Sequence, residues 1–146
     1  MGDTILVPVD GSPLSHRALR YALETFPDAE IVAFHVSDLF DPRPGTGTES
    51  DYEPLVGSEE WYAMEQEAAD ELLGEAEAIA EEYDREIATE SDIGDPQRLI
   101  PDYAEESDVD HVVIGVHGRE EQERTLFGRV AETVVFRSPV SVTVIR

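Results

Sequence analysis

Five short apolar runs separated by four amphipathic stretches constrain this chain more than any other feature. Such alternation is what parallel strands joined by crossover helices produce. Thr4 to Val9 is the first run, with Pro8 suited to a strand's end rather than its middle. Asp10, Gly11, Ser12 and Pro13 turn the chain, Ser12 as a helix N-cap and Pro13 as a first helical residue. The helix predicted to Thr25 carries Leu14, Ala18 and Ala22 on one stripe, widened by Leu19, Leu23 and Phe26. Glu30 to Val36 is the second strand. From Glu59 to Tyr83 a helical stripe of Trp61, Met64, Ala68, Leu72, Ala76, Ile79 and Tyr83 returns, with Trp61 and Met64 expected in the core. Glu86 to Ile93 alternates with acids, as an edge strand does. Asp95 and Pro96 repeat the cap, and Leu99, Ile100, Tyr103 and Ala104 predict a helix ending near Ser107. Val109 to Gly115 is a buried central strand, 129 to 137 a fourth helix stopped by Ser138 and Pro139, and Val140 to Ile145 the last strand. The expected fold is α/β: one open parallel five-stranded sheet with helices on both faces, Rossmann-like.

Ser37 to Gly57 interrupts this rhythm with Pro42, Pro44, Pro54 and a Gly45-Thr46-Gly47-Thr48 patch. Twenty-one aperiodic residues are long for a compact domain, so a mobile lid or a disordered insertion is expected at 37-57. The 146 residues suit a single domain, 1-146. No apolar run approaches a membrane span, and Met1 to Asp10 lacks the features of a signal peptide, so a cytoplasmic protein is expected. Cysteine is absent, which excludes thiolate chemistry.

Charge sets the expected surroundings. Thirty-four acids against ten arginines, with no lysine, leave a net −24. Disorder is a poor explanation, because 40% of the residues are apolar and well patterned. Salt shortens the Debye length from about 8 Å near 0.15 M to about 3 Å at 1 M, which relieves this self-repulsion and predicts a halophilic protein in a high-salt cytosol. Duplex nucleic acid, itself a polyanion, is not an expected partner. The charge is also uneven: residues 111 to 146 carry a net +1 and the other 110 residues a net −25.

The neutral region holds the candidate site. Gly115, Val116, His117 and Gly118 follow the central strand, and Gly128 opens the fourth helix. Glycine turns let backbone N–H groups approach a ligand, and a helix start supplies unpaired donors with partial positive charge. The expected ligand is therefore an anion, phosphate above others, although turns need glycine whether or not anything binds. In an α/β fold, ligands sit beyond the carboxyl ends of strands where the strand order reverses. If the first and fourth strands are neighbours, Val9-Asp10-Gly11 and Gly115-Val116-His117-Gly118 converge on one crevice. Asp10 could equally serve as a turn former. Of His16, His35, His111 and His117, only His117 falls in that crevice, as a ligand contact or a loop hydrogen-bonder. No spacing suggests a metal trio, no nucleophile has an aligned base, and a chain without lysine has no P-loop lysine.

Val7-Pro8-Val9-Asp10-Gly11-Ser12, the Gly115, Gly118 and Gly128 spacing, and the closing Ser138-Pro139-Val140-Ser141-Val142-Thr143-Val144 resemble the universal stress protein family over essentially the whole chain. The resemblance implies strand order 3-2-1-4-5, a homodimer and, in one branch, ATP beyond strands one and four. By position it implies Pro8, Val9 and Asp10 at the adenosine moiety, with Asp10 near the ribose and a nucleotide-bound divalent ion such as Mg. It places Val36 at the adenine, Ile114, Gly115, His117 and Gly118 around ribose and phosphates, and Gly128, Arg129 and Val130 at the phosphates. ATP-binding members usually carry Ser or Thr where this chain has Arg129.

Arg129 reads two ways. A guanidinium offers five donors to phosphate, but its bulk could fill the pocket that a small hydroxyl leaves open. A cation at a helix N-terminus is also disfavoured by about 0.3–1 kcal/mol, so Glu132 or a bound anion should compensate it. The final strand, 140-145, is uncharged until Arg146 and predicts pairing with its own copy across a two-fold axis. The first expectation is a stress-response regulator binding ATP or a related adenine nucleotide, with hydrolysis at most slow. The alternative is a nucleotide-free dimeric interaction protein with Arg129 in the phosphate site.

Overall fold

A computed structural model describes residues 2–39, 55–117 and 128–146. Nine elements follow in order among them: β1 (Thr4–Pro8), α1 (Pro13–Thr25), β2 (Glu30–Asp38), α2 (Glu59–Glu81), β3 (Ala88–Gly94), α3 (Pro96–Glu106), β4 (His111–Gly115), α4 (Arg129–Arg137) and β5 (Ser141–Ile145). All strand pairs are parallel and the order is β3-β2-β1-β4-β5, which puts both apolar central strands inside and leaves β3 and β5 as edges.

The pleat sorts the core into two layers. Ile5, Val7 and Val9 point with Ile31, Ala33 and Val113 toward α1 and α2, whereas Leu6, Val32, Phe34, Val112 and Ile114 point toward α3 and α4. Ile5, Leu6, Val112 and Val113 are completely buried, each contributing about 1.5–3 kcal/mol by leaving water.

The caps form as the residue types dictate. The Ser12 hydroxyl accepts from the Ser15 N–H, and the Asp95 carboxylate accepts from the Gln97 N–H, each just before a proline at the helix start. At the other end of α1, which has no basic residue in its last turn, Arg85 donates to the Leu23 and Ala29 carbonyls. That guanidinium supplies the cation a helix C-terminus favours. Arg20 on α1 pairs at 2.9 Å with Glu82 beyond α2, and its hydrogen bonds hold the Glu82 carboxyl below the usual range.

Two expectations need correction. Met64 is exposed and Trp61 only half-buried against Tyr62, while Glu65, Ala69, Leu72, Leu73, Ala76, Ile79 and Ala80 form the inner face. The buried face of α2 starts at Glu65, so the first turns, which carry Trp61 and Met64, lie outside the packed core. Likewise, β2 continues to Asp38 with Ser37 buried, so the aperiodic segment begins later than 37. The mobility expected of 37-57 falls mainly on residues 40–54, outside the described residues.

Candidate functional site

The candidate site lies at the carboxyl ends of β1, β2 and β4. After β1, Gly11 takes φ +80°, a left-handed conformation that favours glycine, and the chain folds back on Asp10. One Asp10 oxygen accepts from the Ser12 N–H at 2.9 Å. The Asp10 N–H reaches the Ser15 hydroxyl at 3.3 Å, and that hydroxyl donates to the Ser12 carbonyl at 2.9 Å. Asp10 is thus a turn former.

Pro8 stands where β1 and β4 have ceased to pair. The Val9 N–H donates to the Phe34 carbonyl on β2, and successive strand residues address opposite neighbours, so position 8 faces β4. Proline has no N–H to give there. The β1–β4 ladder accordingly pairs Ile5 with His111 and Leu6 with Val112, and then stops. The pairing thus ends before the end of either strand, at the point where the strand order reverses.

Register sets the neighbouring walls. Pro8 lies opposite Phe34 and the Val9 N–H donates to the Phe34 carbonyl, so Asp10 follows beside the end of β2 near Val36. On the other side the last β1–β4 pair is Leu6 with Val112, and β4 runs on to Gly115. The Val116 carbonyl accepts from the Gly128 N–H at 2.7 Å, which ties the start of α4 to the end of β4. Gly128 caps α4 in an extended conformation without a side-chain hydrogen bond, and Glu132 is the acid of the first turn.

The expected residues divide between the two layers. Ile114, Val36 and Val130 belong to the α3/α4 layer, and Gly128 starts α4 there. Arg129 is exposed at the same helix start, and His117 is half-buried at the end of β4. The Val9 side chain, 3% exposed, is instead enclosed in the α1/α2 core. Gly115 also has a packing reason: a Cβ there would lie 3.0 Å from the Leu14 Cβ and 3.2 Å from its backbone carbonyl. Its missing side chain lets α1 sit on β4. Gly118 lies outside the described residues.

One functional candidate escaped the sequence. His35 Nδ1 is 2.9 Å from the Val9 carbonyl oxygen, 26 positions away in the chain. The available signal was a histidine inside an otherwise apolar strand, one residue before Val36.

Comparisons with known proteins agree with this architecture. The model of the universal stress protein family matches residues 1–146. A universal stress protein of Methanocaldococcus jannaschii is 33% identical over 97% of this chain and 81% of its own length. Among solved structures, the universal stress protein UspA from Lactobacillus plantarum superposes with TM-score 0.75 at 27% identity, covering 99% of this chain and 97% of its own. The universal stress protein from Archaeoglobus fulgidus, solved in complex with dAMP, gives TM-score 0.62 at 24% identity over 100% of this chain and 98% of its own, a likeness of fold.

Proposed function

This chain belongs to the universal stress protein family, and on that premise we propose that it is a stress-response regulator that binds an adenine nucleotide, ATP or a relative of it, in the crevice between β1 and β4. The observation that carries the reading is that Asp10, Val36 and the start of α4, tied to Val116, all lie at the carboxyl ends of adjacent parallel strands where the strand order reverses. In this assignment Val36 and Ile114 border the base, Asp10 meets the ribose, and Gly128, its own N–H held by the Val116 carbonyl, lets phosphate approach the backbone donors of Arg129 and Val130. A divalent ion, Mg included, would arrive on the phosphates with Asp10 as its protein contact. Recognition of dAMP by the Archaeoglobus fulgidus relative supports this choice of ligand class. Arg129, exposed at the start of α4, carries a guanidinium whose planar donors suit phosphate. The role is binding rather than turnover.

Two further parts of the reading concern surroundings and assembly. β5 is an edge strand with Ser141 exposed and Val142, Thr143 and Val144 only partly covered. These features support a homodimer through 140-145, which a monomer in sedimentation at micromolar concentration and molar KCl would refute. The net −24 supports a high-salt cytosol, for which stability should rise with added KCl. The deciding experiment for the function is mass spectrometry of small molecules released by denaturing the purified protein, joined to calorimetric titration with ATP and magnesium in molar KCl. Adenine nucleotide recovered, or bound at micromolar concentration, supports the reading. No ligand and no heat would leave a nucleotide-free interaction protein.

A further inference from the structure

The carboxyl end of β1 is held from one side. Pro8 offers β4 no donor, and the β1–β4 ladder has already ended at Leu6 and Val112. What ties this end down is β2, through two bonds at Val9: its N–H donates to Phe34, and its carbonyl meets His35 Nδ1 at 2.9 Å. A carbonyl oxygen can only accept, so Nδ1 carries the proton in that contact. This holds for the neutral Nδ1–H tautomer and for the imidazolium alike. The next peptide is that of Asp10, whose direction of departure from the strand depends on how the Val9 carbonyl is held.

We propose that His35 is a positioning residue for the nucleotide site, its Nδ1–H clamping the Val9 carbonyl so that Asp10 faces the ribose. The inference rests on the nucleotide reading above and adds to it a residue that touches no ligand. Position 35 also couples that clamp to the base: Val36, the expected adenine neighbour, is the next residue of β2, so one strand segment sets both walls. The Val9 side chain is enclosed in the core and its N–H is already engaged, which leaves the carbonyl as the part of Val9 that His35 can steer.

The test separates the clamp from the nucleotide reading. Long-range ¹⁵N–¹H spectra of histidine-labelled wild-type protein should show His35 protonated at Nδ1; a neutral ring protonated only at Nε2 overturns the clamp without any variant. Calorimetric titration with AMP in molar KCl then compares His35→Asn, whose amide nitrogen occupies the place of Nδ1, with His35→Gln and His35→Phe, which lack a donor there. Loss of one hydrogen bond predicts affinity about five- to tenfold weaker for Gln and Phe, and within about twofold of wild type for Asn. A purely structural role would lower the melting temperature of all three and spare the affinity of those that fold. Wild-type affinity in His35→Phe, or equal loss in His35→Asn, overturns the proposal. If wild-type protein takes up no nucleotide at all, the functional reading fails on its own. Amide exchange at Asp10, Gly11 and Ser12 then decides the clamp: faster exchange in His35→Phe but not in His35→Asn upholds it, and identical exchange overturns it.

Discussion

The starts of α1 and α4 occupy equivalent places in the fold, each following a central strand at the crevice, yet they are finished in opposite ways. α1 is sealed by its own sequence. Ser12 caps it, Pro13 removes one donor, and the Ser15 hydroxyl and Asp10 carboxylate engage the turn that leads into it. α4 begins at Gly128 without a side-chain cap, and its second residue of the start is an exposed arginine. A sealed start is a structural joint, whereas an uncapped start keeps its backbone donors and partial positive charge for whatever lies outside. The two central strands thus lead into different helix starts: β1 into one capped by its own side chains, and β4 into one opened by a glycine.

The most severe way to break this contrast is to seal α4 as α1 is sealed. Gly128→Asp supplies a cap and a negative charge together. It should lower nucleotide affinity by more than tenfold in calorimetry while leaving the melting temperature unchanged or raised, since unit charges 4 Å apart at an effective dielectric of 20 interact by about 4 kcal/mol. Next, Gly115→Ala attacks the joint between α1 and β4. Its Cβ would press on the Leu14 backbone, and overpacking should cost about 1–3 kcal/mol in urea unfolding. Removing the seal of α1 itself, Ser12→Ala, should cost about 1 kcal/mol of stability in the same assay, with little change in affinity. The smallest effect is expected from Arg129→Ala, which should weaken nucleotide binding by roughly threefold to tenfold, as loss of one charge-assisted contact would. Unchanged affinity would make Glu132 the better account of what balances Arg129.

Local chemistry explains how much was legible in the chain. The caps at Ser12 and Asp95, the proline ending β1, and the glycine opening α4 depend on neighbours a few residues apart, and the structure places all four as their residue types require. The strand order implied by the family resemblance is the one observed. Met64 shows where periodicity misleads: an apolar stripe says which side of a helix is apolar, not where along it the packed core begins. Gly115 shows the same limit for a motif residue, since a glycine spacing cannot reveal that Leu14 lies 3.0 Å from the absent side chain.

By itself the sequence determined the elements, their caps and the alternating class of fold, because helical and strand periods and turn preferences act over a few residues. Only the tertiary structure decided that the Val116 carbonyl holds the start of α4 at Gly128, that the Val9 side chain belongs to the opposite core, and that His35 grips the Val9 carbonyl. Those facts follow from strand register and from which face each residue turns to its helices. Both are fixed by packing between segments far apart in the chain, which no local pattern records.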